Sequence, residues 1–311
     1  MDKRRLLVFL ISCLIIIYYL RKNSKQKSSK PKQKKVPQPQ REESTFLPNA
    51  TYWGAPIIWE KTFQPSLNRE QLKTTAFSIG LTVFAIGTYK QYLYNFVQSA
   101  EKYFMTGYFV TYYILTDNLD VLPSVKLGTG REIKPFYIAE KPGWIHLWKA
   151  RTSLLSSVIK ELIQNEVQYV FCMDVDQIFM NNVGSEILGD LVATLHPDFY
   201  DAPKNVYPYE QTSVSKAYVD GLEGDYYYTS ELYGGKCNDV YELTLTCSQF
   251  IIQDIEIDFT AIMFEESYLN RYFINTKPTK VLSSEYSWPA RRESTEFVVK
   301  RIFSLERYMP V

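Results

Sequence analysis

From Tyr52 onward, apolar residues recur with two periods. Ile79 to Ile86, apolar but for Thr82, predicts a buried strand, and Gln91 to Phe104 predicts a helix. Phe109 to Leu115 reads as a second strand ending at Thr116-Asp117. Leu147 to Ile163 carries Leu147, Leu154, Leu155, Val158 and Leu162 at helical spacing, and Val167 to Met173 is another buried strand. A further helix is predicted around Phe259 to Phe273, with Phe259, Ile262, Met263, Leu269 and Phe273 on its apolar stripe. Strands alternating with helices predict an α/β layered domain, whose ligands bind outside the carboxyl ends of the strands.

The first fifty residues follow another pattern. Leu6 to Leu20 is a charge-free, apolar-rich run flanked by Lys3, Arg4, Arg5 and by Arg21, Lys22. It predicts a transmembrane signal anchor at residues 6–20 behind a cytoplasmic tail at 1–5. As a helix it spans roughly 22 Å, so the flanking cations must snorkel. Arg21 and Lys22 stand where a signal-peptide cleavage site would need small residues, so an uncleaved anchor is expected. Residues 21–51, rich in Lys, Gln, Ser and Pro, read as a stem ahead of a body at 52–311. Asn49-Ala50-Thr51, where stem meets body, is an N-glycosylation sequon.

Charge follows the same division. Residues 1–40 hold 11 of the 35 Lys/Arg and one of the 34 Asp/Glu, so the head is basic and the body acidic. An acidic body with its cations beside an apolar run does not predict nucleic-acid binding. Lys/Arg are denser after the apolar run than before it, which taken alone argues for the opposite membrane orientation.

Asp174-Val175-Asp176 follows directly on a buried strand. Two carboxylates at i and i+2 there are either a polar turn or hard oxygen ligands for a divalent cation that also grips a diphosphate. Arg151 falls on the apolar stripe of its helix and needs an anionic partner: a core carboxylate, a ligand phosphate or the Asp174 pair. Glu266 lies in an apolar stripe too, as a salt-bridge or helix-end residue or as a catalytic group with a tuned pKa. Its neighbour Glu265 is expected at the solvent or on an acceptor hydroxyl. Trp144, Trp148 and Tyr226 to Tyr228 are core aromatics or sugar-stacking faces. Cys237 and Cys247 are the candidates for a disulfide. His146 and His196 are the only histidines, which disfavours a zinc site or a Ser-His-Asp triad.

Several ordered blocks carry a resemblance: Leu81 to Ile86, Leu127 to Arg131, Asp174 to Asp176, Thr194 to Pro197, Gly224 to Tyr228 and Lys277 to Leu282. Together they make the chain resemble glycosyltransferase family 6, the retaining α-1,3-galactosyl and N-acetylgalactosaminyl transferases, over about Tyr52 to Ser304. The resemblance implies a GT-A fold, a UDP-sugar donor, Mn2+, and a glycolipid or glycoprotein acceptor ending in β-galactose. It implies a Golgi membrane protein of type II with a lumenal catalytic domain. Phe84, Ile86 and Tyr89 match the uridine-binding strand and turn, and Trp144 and Arg151 match donor-side positions. Asp174, Val175 and Asp176 match the metal and ribose motif, His196 an acceptor-side histidine, and Glu266 the glutamate beside the anomeric carbon.

The same comparison exposes departures. Thr229-Ser230-Glu231 stands where family members carry small donor-selecting residues, so Glu231 adds volume and charge near donor sugar and acceptor. Met263 replaces a tryptophan, Phe264 and Glu265 replace a His-Asp pair, and Pro289 replaces an acceptor-binding aspartate. The C-terminus lacks the usual basic pattern, with Arg301 and Arg307 as candidate substitutes. These changes favour a second reading, a Golgi pseudoenzyme that binds UDP or glycans without useful transfer.

Overall fold

The computed structural model describes residues 48–60, 62, 77–138, 147–221, 223–292 and 299–305. The expected tail, anchor, most of the stem, Trp144 and Arg307 lie outside the described residues. Among the described residues, no helix is long and apolar enough to cross a membrane.

The described residues form eleven strands: β1 (Ile57–Ile58), β2 (Ser78–Ala85), β3 (Phe109–Thr116), β4 (Arg131–Tyr137), β5 (Tyr169–Met173), β6 (Gln177–Phe179), β7 (Leu191–Leu195), β8 (Tyr228–Lys236), β9 (Lys280–Leu282), β10 (Trp288–Pro289) and β11 (Ile302–Ser304). Eight form one sheet in the order β1-β9-β7-β8-β5-β2-β3-β4, and β10-β11-β6 form a small second sheet. In the large sheet only β8 is reversed, antiparallel to both β5 and β7. The carboxyl ends of β2, β5 and β7 therefore share one edge with the amino end of β8.

Burial on both faces explains the unbroken apolar runs. On β2, Ile79, Leu81, Val83 and Ala85 pack towards Leu93, Phe96, Val97 and Ala100 of α1 (Leu93–Tyr103). The opposite face, with Phe84, Tyr113, Leu115 and Cys172, packs on three further helices: α2 (Leu147–Val158), α3 (Cys237–Glu256) and α4 (Glu265–Asn275). A π-turn at Ile159–Ile163 and a last helical turn at Gln164–Glu166 prolong α2 towards β5. The sheet thus lies between helical layers, as expected for an α/β domain.

Two glycines let β8 run between its neighbours. A side chain on Gly234 would collide with the Phe171 ring, and Gly235, at φ +147°, lies against the Asp190 carbonyl where no Cβ fits.

Two expectations change. The helix predicted over Phe259 to Phe273 starts only at Glu265, because Phe264 takes φ +51° and ψ −131°. The apolar residues before it belong to a turn in which Ile262 is exposed. Cys237 and Cys247 are both free, and they sit ten residues apart on α3. A helical rise of 1.5 Å per residue holds them about 15 Å apart, too far to bridge.

Candidate functional site

The acidic turn Asp174 to Asp176 leaves the carboxyl end of β5 and enters β6. Phe84, Tyr89, Arg151 and Met173 join it to line a small recess. Phe84 ends β2, and Tyr89 is delivered by a 3-10 turn at Gly87–Tyr92. Asp117, at the end of β3, fixes this turn by accepting from the Gly87 N–H at 3.1 Å and pairing with Lys90 at 2.9 Å. The sequence reading missed Asp117; a carboxylate directly after a buried strand was the available signal.

Arg151 is buried on α2, with its guanidinium 5.5 Å from the Phe84 ring centroid. It pairs with Asp174 at 2.7 Å and with Glu265 at 2.8 Å. Burial opposes its charge, but these two carboxylates prevail and hold its pKa above the ordinary arginine value. Of the alternatives read from sequence, the Asp174 pair and a neighbouring carboxylate hold together. Glu265, expected at the solvent, is instead buried at 7% exposure.

Phe264 is the cause of that burial. Its positive φ is costly for a non-glycine residue, on the order of 1–3 kcal/mol. It turns the chain so that Glu265 and Glu266 both face inward in the first turn of α4, while Phe264 stays 51% exposed against Trp148, ring centroids 5.2 Å apart. Carboxylates in a first helical turn also meet the positive end of the helix dipole.

Glu266 Oε2 accepts from the backbone N–H of Ser230 at 2.9 Å and from its hydroxyl at 3.3 Å. Its Oε1 is buried, and the Tyr227 hydroxyl lies against the carboxylate and helps to hold its charge. His196 Nε2 lies 3.9 Å from Oε1. Nδ1 of His196 accepts from the Asp198 N–H at 3.1 Å, which leaves Nε2 as the protonated nitrogen of the neutral ring. Burial pushes the Glu266 carboxyl above the usual range; His196 and the Ser230 N–H oppose this without cancelling it. Asn270, one turn further along α4, donates to the Glu266 carbonyl and exchanges two hydrogen bonds with the Tyr228 backbone, pinning α4 to β8.

A bulge supplies the Ser230 N–H. Ala193 pairs with Tyr233 and Thr194 with Thr229, so Ser230, Glu231 and Leu232 bow out of the β7 ladder. Thr229 is buried and its hydroxyl accepts from the Glu231 N–H. The Glu231 carboxylate accepts from the hydroxyls of Ser287 and Ser304, both at 2.5 Å.

Among the described residues, no group of three or more His, Cys, Asp or Glu side chains is arranged to hold a metal. Asp174 and Asp176 remain a hard donor pair of the kind that binds a cation jointly with a diphosphate. Arg151 already pairs with Asp174, and the chemistry of the two carboxylates is compatible with the implied ion. Arg301 does not fill the expected donor-closing role. It is buried against Glu60, Glu186 and the Asn182 carbonyl. Asn49 is exposed at the edge of the body.

A mixed sheet with an aromatic recess, an acidic turn and a buried glutamate along its carboxyl edge fits a GT-A-like glycosyltransferase. The chain belongs to glycosyltransferase family 6, whose pattern it matches over residues 18–306. It is 43% identical over 248 residues to human globoside alpha-1,3-N-acetylgalactosaminyltransferase 1, covering 80% of this chain and 72% of that protein. Rat histo-blood group ABO system transferase 1 is 39% identical over 261 residues, 84% and 74% of the two chains. Glycosyltransferase 6 domain-containing protein 1 of Macaca fascicularis is 37% identical over 239 residues, 76% and 77%.

Proposed function

We propose that this glycosyltransferase moves galactose or N-acetylgalactosamine from a UDP-sugar, with retention, onto the 3-hydroxyl of a terminal β-galactoside. The observation that carries this reading is the Glu266 carboxylate, anchored through Oε2 on Ser230 while Oε1 faces His196. The uracil ring is assigned to the Phe84 and Tyr89 side of the recess, and the ribose to Asp174. Asp174 and Asp176 would hold Mn2+, which neutralises the departing diphosphate when bound. Arg151 pairs with Asp174 and holds its carboxylate at the recess. At the anomeric carbon the bond to the diphosphate oxygen breaks. Glu266 Oε1 stabilises the resulting positive charge or bonds to it, on the principle that groups are matched to the transition state. His196, beside that oxygen, belongs to the acceptor side. Thr229, Ser230 and Glu231 lie between acceptor and donor.

We also assign residues 6–20 as a signal anchor of a type II Golgi protein, with the body in the lumen. Asn49, exposed at the start of the body, would then carry a glycan. A glycosidase-sensitive mass on Asn49 in cells supports that orientation, and an unmodified body facing the cytosol refutes it.

The experiment that tests the activity is UDP release from a panel of UDP-sugars, with and without β-galactosides, in Mn2+ and in EDTA. Acceptor-dependent release in Mn2+ supports transfer. Cation-dependent UDP binding with no release across the panel supports the pseudoenzyme reading, to which the Glu231 side chain in the donor-selecting segment lends itself.

A further inference from the structure

We infer that Glu231 is a positioning residue that locks the acidic turn from both ends by tying it to the C-terminal strand β11. The inference rests on the donor-site reading only for its consequence on nucleotide binding.

The contacts form a closed ring. At one end of the turn, the Asp174 N–H donates to the Glu231 carbonyl at 3.1 Å. At the other end, the Leu305 N–H donates to the Asp176 carbonyl at 2.9 Å, and β11 pairs with β6, with Ser304 opposite Gln177. Gln177 Nε2 also donates to the Ser304 hydroxyl at 3.3 Å. The Glu231 carboxylate closes the ring on Ser304, with Ser287 as its second donor. One residue thus grips the turn directly through its backbone and indirectly through β11.

The bulge explains how Glu231 does both. Leu232 stays paired with Met173 on β5, yet Ser230 to Leu232 are released from β7. Successive side chains on a strand point to opposite sides. Ser230 accordingly meets Glu266, and Glu231 meets the serines of the small-sheet region. A shorter residue at 231 would keep the backbone contact and lose the tie to β11. An ionised acceptor makes stronger bonds to hydroxyls than a neutral one, so glutamate holds this strand more firmly than glutamine would.

Direct contact of Glu231 with donor sugar or cation is the competing role. In that case Ser304, whose hydroxyl touches Glu231 and Gln177 but does not line the recess, should be dispensable. The lock makes both Glu231 and Ser304 necessary.

The test combines hydrogen exchange over Ile302 to Leu305 with UDP affinity in Mn2+, for the parent, Glu231→Ala, Glu231→Gln, Ser304→Ala and the Glu231→Ala, Ser304→Ala double variant. The lock predicts exchange at least about tenfold faster in both alanine variants, since each loses the charge-assisted Ser304–Glu231 bond and Glu231→Ala also loses the bond from Ser287. The double variant should show less than the product of the two single effects, and Glu231→Gln should recover part of the protection because its amide oxygen still accepts. UDP should weaken several-fold in parallel. Unchanged exchange in Glu231→Ala, or additive effects in the double variant, overturns the inference. Weaker UDP binding in Glu231→Ala with a silent Ser304→Ala also overturns it, in favour of direct contact. Exchange that changes as stated in a protein that binds no UDP upholds the lock and removes the nucleotide reading instead. Ser304→Ala deletes one hydroxyl from a half-buried site, so the comparison survives if Glu231→Ala misfolds.

Discussion

Glu266 Oε1 stands 3.9 Å from Nε2 of His196, while the other carboxylate oxygen is committed to Ser230. The glutamate is therefore held in one orientation with its other oxygen turned towards His196.

Glu266→Gln keeps the shape and the contact of one oxygen with the Ser230 N–H but removes the charge. UDP affinity should stay within a few-fold while transfer falls by at least about a hundredfold, since the charge is needed in the transition state more than in the ground state. Single-turnover rates and calorimetry separate the two quantities. Full turnover in the glutamine variant would reject the assignment.

Burial raises the Glu266 pKa, and the proposed role needs the ionised form. Activity should therefore climb with pH through a limb lying above the ordinary carboxylate range. Folding responds with the opposite sign. A carboxyl that binds its proton more tightly when folded favours the native state at low pH, and this contribution is lost as pH rises through the folded pKa. Comparing pH profiles of kcat/KM and of denaturant midpoints for parent and Glu266→Gln checks both directions.

Arg151 neutralises two carboxylates at once. Arg151→Met leaves Asp174 and Glu265 facing each other without a cation and should cost about 3–5 kcal/mol in urea unfolding. Arg151→Lys keeps the charge but loses the fork, and should recover part of the stability and less of the UDP affinity.

Asp176→Asn should weaken UDP binding in Mn2+ by about tenfold or more and leave binding in EDTA unchanged. The two affinities are read by calorimetry. Equal affinity of the parent protein in Mn2+ and in EDTA would count against a cation shared between the acidic turn and the diphosphate.

Gly235→Ala tests the reversed strand. The added methyl meets the Asp190 carbonyl, and the backbone there is at φ +147°. Unfolding free energy should fall by more than about 2 kcal/mol, and Gly221→Ala, which meets nothing, should change it far less.

The sequence alone determined much of the scaffold and half of the site. The runs of β2, β3 and β5 are mostly apolar because both sheet faces are covered, so they were legible without partners. Arg151 and Asp174 to Asp176 could be singled out because they interrupt or end an apolar pattern, and Phe84 through the family resemblance. Tertiary structure decided what pattern cannot encode. The reversal of β8 depends on strands far away in sequence, and it brings Thr229 to Glu231 beside Asp174. The bulge that frees the Ser230 N–H is a mismatch between two ladders, invisible in either strand. Phe264 lies inside the predicted helix on paper, yet its backbone ends the turn and starts the helix, which buries Glu265 against Arg151. The pairing of Arg151 with both Asp174 and Glu265 follows from that one turn, because a charge chooses its partners by distance in space and local sequence records only spacing along the chain.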